Sequence, residues 1–423
     1  MESARIEKDY RRAQEKYAVF GVNTNQALEK LGAFPLSLNC WQGDDVGGFE
    51  HPDSTLSGGG LQVTGNYPGK ARSVDELRTD LEMAFSLIPG THRLNLHAIY
   101  GEFGDSGVDR DEISTQHFQG WIDWAIVNRL GLDFNATLFS HPKADSGFTL
   151  SSKEKNIRRF WIKHVQLCRE IAVYMGKELG QTCLHNLWIP DGAKDITVDR
   201  FTYRRILKDS LDEIYNQKHP EDRLKDSVES KLFGIGSEAF VVGSHEFYLS
   251  YALTRGLLPC FDMGHFHPTE TVADKISSVL QFSNELLLHV SRGLRWDSDH
   301  VVIFDDNLLD LMSEVVRSGV MNRIHVSLDF FDASMNRVGA WVIGARATLK
   351  GLLAALLEPR ERLLEAEISG DYFTRLALLE EAKTLPLASV WDFFCLKSGV
   401  PSGDGWIDEI QEYDREVSRK RQD

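Results

Sequence analysis

The sequence has few cysteines, and they form no recognisable pattern. The five in 423 residues are widely scattered, and no Cys-x-x-Cys spacing occurs. They are Cys40, Cys168, Cys183, Cys260 and Cys395. An odd number of isolated thiols argues against a disulfide framework and against a zinc site built from thiolates. We therefore expect reduced thiols in a cytoplasmic protein.

Long apolar runs and an excess of basic residues are also missing. We find no stretch that approaches the roughly 20 apolar residues of a membrane span, and the first residues are too charged for a signal peptide. Acidic residues number 63 and basic residues 47, which gives a formal net charge of −16. Because phosphate backbones and anionic membranes bind basic surfaces, we expect neither nucleic acid nor membrane as a partner.

Eight strand-like runs alternate with helical patterns along the chain. The predicted strands cover residues 36–41, 93–100, 130–137, 183–189, 227–234, 258–264, 286–291 and 323–330. Several are almost continuous apolar runs, as expected for parallel strands that are buried on both faces. Eight such alternations predict an α/β fold, the closed (β/α)8 TIM barrel. A doubly wound open sheet is the alternative, but it rarely needs eight units.

Three segments fall outside this alternation. Residues 1–33 are predicted to form an N-terminal helical extension. Residues 42–72 are rich in Gly, Asp and Pro, and so long a loop is typical of a lid or binding loop. Residues 344–423 are predicted to form a helical appendage on the barrel or on another subunit. We therefore expect a barrel domain at 1–343, which includes the N-terminal helix and the lid, and a C-terminal helical extension at 344–423.

Acidic and imidazole side chains gather at the ends of predicted strands five to eight. They are Glu229, Asp262, His265, His289, Asp297, Asp299 and Asp329. Catalytic residues of a (β/α)8 barrel come from the C-terminal ends of its strands. Carboxylates that meet there would repel one another unless divalent cations bind between them. Seven ligands exceed the needs of one ion but suit two ions that share a carboxylate.

The chemistry of these side chains narrows the choice of metal. Oxygen and imidazole donors without a thiolate favour Mn, Mg or Co over structural zinc. Taken singly, an acid after a strand is more often a helix N-cap, and a lone histidine is more often a core residue. Seven on four consecutive strands favour metal binding instead. Lys231 follows Glu229 by two residues, so period-two geometry predicts that both point into the barrel.

Several segments resemble the bacterial L-rhamnose isomerases. They include CWQGDDVGGFE at 40–50, IPDGAKDITVDR at 189–200, DMGHFHPTE at 262–270, HVSRGLRWDSDHVV at 289–302 and LDFFDASMNR at 328–337. The resemblance extends from about residue 37 to about residue 401. That family is similar to the xylose isomerases in fold and mechanism. The metal pattern that the two share is present here as Glu229-x-Lys231, Asp262-x-x-His265 and Asp297-x-Asp299.

The resemblance implies a metal-dependent aldose–ketose isomerase that converts L-rhamnose reversibly to L-rhamnulose by a hydride shift between C2 and C1. One ion would be bound by Glu229, Asp262, His289 and Asp329. The second would be bound by Asp262, His265, Asp297 and Asp299. The family implies Mn2+ as the activator, with Zn2+, Co2+ or Mg2+ as alternatives at one site, and a homotetramer as the assembly.

Roles for individual residues follow from the same resemblance. Asp329, Lys231, His97 and His265 are expected to be catalytic. Asp329 would hold the water that moves a proton between sugar oxygens, and Lys231 would place positive charge near a developing alkoxide.

Trp188, Phe134 and His97 are expected to bind the substrate. Trp188 and Phe134 would form an apolar wall, and His97 would hydrogen-bond a sugar hydroxyl. Core packing is the alternative for Trp188 and His97.

Other functions are less consistent with the sequence. An isomerase of another aldose on the same fold is the nearest alternative, because sugar pockets of this kind tolerate epimers. A metal-dependent phosphodiesterase or nuclease would need the basic surface that a net charge of −16 does not favour. A scaffold with a purely structural metal would not need an inward lysine or a lid.

Overall fold

Eight parallel strands close into a barrel in a computed structural model that describes residues 2–50, 63–104, 107–231, 238–267, 269–294 and 299–421. The barrel strands are β1 Pro35–Asn39, β2 Thr91–His97, β3 Gly131–Asn135, β4 Cys183–Trp188, β5 Leu224–Glu229, β6 Leu258–Asp262, β7 Leu286–Val290 and β8 Ile324–Leu328. Each strand pairs with the next one along the chain, and β8 pairs with β1. The predicted (β/α)8 barrel is confirmed.

All eight predicted strands are present, but their ends differ from the prediction. The prediction for β2 is too long because residues 98–100 form a short 3-10 turn. The prediction for β5 starts too late, since Lys225 and Asp226 hide the apolar pattern although ion pairs allow both to be partly buried. β5 ends at Glu229, so Lys231 lies beyond the strand, and residues 232–234 fall outside the described residues.

The described residues contain fourteen α-helices. They are α1 Glu2–Val19, α2 Thr24–Ala33, α3 Val74–Ser86, α4 Gln119–Asn128, α5 Lys155–Leu179, α6 Arg200–Ile214, α7 His245–Arg255, α8 Ala273–Val279, α9 Asp306–Arg317, α10 Arg337–Leu356, α11 Arg360–Ile368, α12 Tyr372–Ala382, α13 Leu387–Ser398 and α14 Gly405–Glu416. The N-terminal helical extension and the C-terminal helices are therefore confirmed. They pack on each other, because α1 contacts α13 and the Tyr10 ring stacks on Phe393 at 3.9 Å.

Helix α10 joins the barrel to the C-terminal helices. It packs against α9, α2 and α3, and its Trp341 indole donates a hydrogen bond to the Asn39 carbonyl at the end of β1. By length and composition α10 could cross a membrane, which we did not expect, but 83% of an 18-residue apolar segment of this helix is buried within the protein. A helix that is buried to this extent is typical of the core of a folded protein. The expected division at 343/344 falls inside α10, and a separate C-terminal unit stays a prediction.

Ion pairs hold the outgoing leg of the β1 loop, which we define as residues 42–72, and a hydrogen bond holds the returning leg. On the outgoing leg, Asp45 pairs with Arg337 at 2.7 Å and Glu50 pairs with the buried Arg110 at 2.9 Å. On the returning leg, the Gly69 carbonyl accepts a hydrogen bond from Arg421. Residues 51–62 lie outside the described residues. The function of this loop as a lid therefore stays a prediction.

A buried ion pair fixes α5 to the outer face of the barrel. Arg169 on α5 approaches Asp226 on β5 to 2.8 Å, and Nδ1 of His185 on β4 lies 3.2 Å from the same carboxylate. Arg169 also donates to the carbonyls of Ile214 and Gln217. Burial alone would raise the pKa of Asp226, but its hydrogen bonds with His185 and Arg169 outweigh burial and hold that pKa below its ordinary value.

We expect Asp226→Asn to lower the free energy of unfolding by about 3–5 kcal/mol near neutral pH, because it leaves the Arg169 charge buried and unpaired. The folded-state pKa of Asp226 lies below its unfolded value of about 3.9, so the stabilisation is present above that pH and is lost as the pH falls below it. Urea denaturation of wild type and variant should therefore show a difference that shrinks below about pH 4.

The control for this experiment is Glu367→Gln. Glu367 pairs with Arg375 at 2.8 Å on the surface, where both side chains are exposed. Exposed pairs contribute about 0–1 kcal/mol, so this variant should unfold almost like wild type. Equal losses in the two variants would contradict a special role for the buried pair.

Candidate active site

Four donor side chains converge at the C-terminal rim of the barrel. Glu229 ends β5, Asp262 ends β6, His289 lies in β7, and Asp329 follows β8 directly. One ligand atom of each lies within 4.8 Å of those of the other three. Nδ1 of His289 is 2.9 Å from Asp329 Oδ2, 3.3 Å from Glu229 Oε2 and 3.8 Å from Asp262 Oδ2. We call these four residues the rim cluster.

Strand register explains why these side chains share one face. Asp262 is the register partner of His289, and Trp188 on β4 is the partner of Glu229. Register partners on parallel strands point to the same side of the sheet, which is the barrel interior here. The closed sheet therefore directs the acids of β5 and β6 and the imidazole of β7 towards one point.

Several buried polar atoms of the rim cluster make no hydrogen bond. Glu229, Asp262 and His289 are 2%, 1% and 1% exposed. Asp262 Oδ2 and both ring nitrogens of His289 make no hydrogen bond, despite the short distance to Asp329. Unpaired buried polar atoms are costly, and three carboxylates around one imidazole carry excess negative charge. A divalent cation fits this group of oxygen and imidazole donors.

The ionisation of the acids reflects the same burial. Burial raises the pKa of Asp262 well above its ordinary value, and the neighbouring Asp329 and Glu229 raise it further while His265 opposes them. Burial would also raise the pKa of Glu229, but His289 and His265 outweigh it and lower that pKa. Histidines thus compensate the negative charge of Glu229, whereas Asp262 lacks sufficient positive charge around it.

Neighbouring groups orient the ligands of the rim cluster. The Asn186 amide on β4 donates to Glu229 Oε2 at 2.5 Å, and the Trp41 indole donates to Asp329 Oδ1 at 3.1 Å. The Gly264 amide donates to Asp262 Oδ1 at 2.6 Å. Asn186 and Trp41 were not among the predicted site residues. The available signal for Asn186 was its position two residues before Trp188, on the same face of β4.

The residues predicted for a second ion are only partly brought together. Nδ1 of His265 lies 3.2 Å from Glu229 Oε1, so His265 lies beside the rim cluster. The Asp299 carbonyl accepts a hydrogen bond from the Phe331 amide, just beyond β8. Asp297 lies outside the described residues. Among residues that the structure describes, no potential ligand group of three or more joins His265 and Asp299.

Lys231 lies close to Trp188 just beyond the end of β5. Its Nζ lies 3.1 Å from both the Pro190 carbonyl and Glu238 Oε1, and 5.7 Å from the centre of the Trp188 ring. The Lys231 side chain is almost completely buried. These contacts therefore fix the position of the Lys231 side chain at this side of the rim.

Aromatic rings line the rim on the side of β1 to β4. The centre of the His97 ring is 4.9 Å from that of Trp41 and 5.6 Å from that of Phe139, and Phe139 is 6.0 Å from Trp188. Nδ1 of His97 lies 3.1 Å from Thr137 Oγ1. Burial lowers the pKa of His97 to about 3, so its imidazole is neutral. We call Trp41, His97, Phe139 and Trp188 the aromatic arc.

Phe134 does not join the aromatic arc, which corrects the expected substrate contact. It lies one residue before Asn135, whose amide donates to Asn95 inside the barrel. Because successive side chains alternate, Phe134 points to the outer face of β3, where it meets the edge of Phe118 at 4.9 Å. The prediction considered only that Phe134 lies near the end of a strand and ignored which face it occupies.

The profile of the L-rhamnose isomerase family matches residues 4–421 of the chain. The chain belongs to this family. An L-rhamnose isomerase of Rhodopirellula baltica is 55% identical over 418 residues, which cover 99% of this chain and 97% of the relative. An L-rhamnose isomerase of Salmonella paratyphi B is 52% identical over 419 residues, which cover 99% of this chain and all of the relative. The resemblance inferred from the sequence is confirmed.

Membership of the L-rhamnose isomerase family makes the chain an enzyme, an isomerase of the intramolecular oxidoreductase class. The solved structures similar to it include an L-ribulose 3-epimerase, with a TM-score of 0.46 and 9% identity over 76% of this chain and 95% of that one. The rim cluster and the aromatic arc lie at the barrel end where enzymes of this fold have their active sites.

We expect Mn2+ to stabilise the metal-free protein through the rim cluster. A ligand at 100 times its Kd adds about 2.7 kcal/mol to the free energy of unfolding. Asp262→Asn should lose most of this gain, because it removes a negatively charged ligand. The measurement is the melting temperature with and without Mn2+, followed by circular dichroism.

Asp371→Asn is the matched control, because it makes the same chemical change outside the site. Asp371 caps α12 by accepting a hydrogen bond from the Thr374 amide, and asparagine is an equally good cap. This variant should keep the full Mn2+ effect. An equal Mn2+ effect in wild type and Asp262→Asn would contradict cation binding at the rim cluster.

Proposed function

We propose that the chain interconverts L-rhamnose and L-rhamnulose. In this reaction a hydride moves between C2 and C1 of the open-chain sugar while a proton moves between O2 and O1. The observation that carries the proposal is the rim cluster, a buried group of cation ligands in a member of the L-rhamnose isomerase family. It lies at the barrel end where this fold binds substrates.

Mn2+ is the cofactor that we propose for the rim cluster, with Glu229, Asp262, His289 and Asp329 as its ligands. When bound, a divalent cation supplies Lewis-acid polarisation of the sugar oxygens. We propose a second divalent ion at Asp262, His265, Asp297 and Asp299, with Zn2+, Co2+ or Mg2+ as alternatives at one of the two sites. The position of His265 beside Glu229 supports this.

Asp329 is the residue that we propose for proton movement. Its side chain is 21% exposed, whereas those of Glu229, Asp262 and His289 are 1–3% exposed. The Trp41 indole fixes one carboxylate oxygen. The carboxylate can therefore hold a water molecule at the mouth of the barrel, and that water would move the proton between the two sugar oxygens.

Lys231 and the aromatic arc complete the proposed site. The buried Lys231 ammonium would stabilise negative charge on a sugar oxygen. The neutral His97 imidazole would hydrogen-bond a sugar hydroxyl, and Trp188 would exclude water from the reacting carbons. His265 would act as a catalytic metal ligand.

A homotetramer in the cytoplasm is the assembly that we propose. Exposed apolar side chains on α11 and α12 support contact with further copies of the chain; they are Leu364, Ile368, Tyr372, Phe373 and Leu376. Patches of this kind mark interaction surfaces in many proteins. The five buried free thiols are consistent with a reducing compartment.

Metal-stripped protein should form ketose from L-rhamnose only after Mn2+ is added. Asp262→Asn should lose activity by two orders of magnitude or more, because a metal ligand is lost, whereas Asp371→Asn should behave like wild type. Ketose formation from L-rhamnose, mannose and allose distinguishes this enzyme from an isomerase of another aldose. A folded protein that yields no ketose from any of them with Mn2+ would refute the proposal.

The second ion has its own test. His265→Ala and Asp297→Ala should each abolish turnover, while circular dichroism shows an intact fold. Metal content after dialysis against Mn2+ should fall from two ions to one per chain. Full activity in both variants would show that the second ion is wrongly assigned.

A further inference from the structure

A cavity of about 370 Å3 opens at the N-terminal end of the barrel, opposite the rim cluster. It begins at Pro35 and Ile324, the first residues of β1 and β8, and reaches inward to Asn95, Asn186 and Ser327. We call it the lower cavity. The last three side chains are 2–3% exposed and form its floor. Small-molecule sites typically enclose about 300–1,000 Å3, so this cavity is large enough for a compact ligand.

The walls of the lower cavity combine apolar and polar side chains. Leu184 on β4 and Leu287 on β7 belong to a small apolar cluster that is separate from the main hydrophobic core. Ser37, Asn95 and Ser327, on β1, β2 and β8, supply hydroxyl and amide groups. Bulky branched side chains usually fill the interior of such a barrel, whereas small polar ones leave space here. A ligand in this space would meet both an apolar surface and hydrogen-bonding groups.

The charged side chains of the lower cavity have partners within the protein. Arg93 on β2 approaches Asp133 on β3 to 2.8 Å, and Nε2 of His325 lies 2.5 Å from Glu285 at the mouth. Lys30 lies at the outer edge and is exposed to solvent, where salt screens its charge. A charged ligand would therefore be buried without a counter-charge of its own. The lower cavity favours a neutral ligand.

Asn186 provides an acceptor at the floor of the lower cavity. Its amide nitrogen donates to Glu229 Oε2 at 2.5 Å, and because a carboxylate only accepts, this contact fixes which way the amide points. Asn186 Oδ1 is buried and makes no hydrogen bond. Native interiors rarely leave such an atom unsatisfied. A ligand at the floor that donates a hydrogen bond would satisfy it.

We propose that the lower cavity binds a small neutral alcohol with an apolar body. The hydroxyl donates to Asn186 Oδ1, and the carbon skeleton packs on Leu184 and Leu287. Because the amide of Asn186 also donates to Glu229, a hydroxyl bound at its oxygen polarises that second hydrogen bond. The two ends of the barrel thus share one side chain, although the inference depends on neither the sugar nor the cation at the rim.

Saturation-transfer NMR of the Mg2+-loaded protein with cyclohexanol tests the lower cavity. We expect magnetisation to pass from the protein to the ring of bound cyclohexanol. Tetrahydropyran is the matched ligand, because its ring has the same size but cannot donate a hydrogen bond. It should bind about fivefold more weakly, which corresponds to one lost hydrogen bond. Equal binding of the two rings, or no transfer to cyclohexanol, would overturn the proposal.

The location of the bound ring is tested with Leu184→Phe, which puts a larger side chain into the lower cavity. This variant should lose the transfer to cyclohexanol. Leu376→Phe is the matched control, because Leu376 is 61% exposed on α12, and it should keep the full signal. Full transfer in folded Leu184→Phe protein would show that the ring binds elsewhere and would overturn the proposal.

A crystal of the wild-type protein soaked in cyclohexanol covers the case in which Leu184→Phe does not fold. The ring should lie between Leu184 and Leu287, with its hydroxyl at hydrogen-bonding distance from Asn186 Oδ1. Water alone in the lower cavity would overturn the proposal. None of these measurements uses sugar turnover, so a failure of the isomerase assay would leave their results unchanged.

Discussion

Closure of the sheet forces like charges together at one end of the barrel. Glu229, Asp262 and Asp329 come from three different strands or strand ends, yet all three approach the single imidazole of His289. A protein interior cannot hold this much negative charge without compensation. The rim cluster therefore fits a divalent cation, and the binding of one would link stability to cation concentration at this rim.

The inward and outward side chains of a barrel strand have different roles, as β5 shows. On β5, the inward Glu229 serves the rim, while the outward Asp226 fixes α5 through Arg169. The inward Lys225 pairs with Glu285 at 2.6 Å near the opposite end of the barrel. Charged residues can occupy a buried strand in this way because each has a partner at hydrogen-bonding distance. The rim ligands consequently project from a wall whose outer side is held by ion pairs.

The sequence predicted which functional side chains lie near the ends of the strands, but it predicted poorly which face of a strand each side chain occupies. Apolar runs with an acid or a histidine near their ends predicted the barrel and the four residues of the rim cluster. The error at Phe134 arose because one residue separates the inner from the outer face of a strand. Asn186 and Trp41 were missed because their contacts with Glu229 and Asp329 depend on the stagger between strands. No pattern within a single strand reveals that stagger.

All five thiols are buried, and they are distributed over distinct parts of the fold. Cys183 and Cys260 lie in the barrel wall, Cys168 on α5 and Cys395 on α13. A buried thiol reacts with a modifying reagent only while its surroundings are open. The chain thus carries its own kinetic reporters. The rate at which Cys395 is modified relative to Cys183 reports whether the C-terminal helices detach before the barrel itself opens.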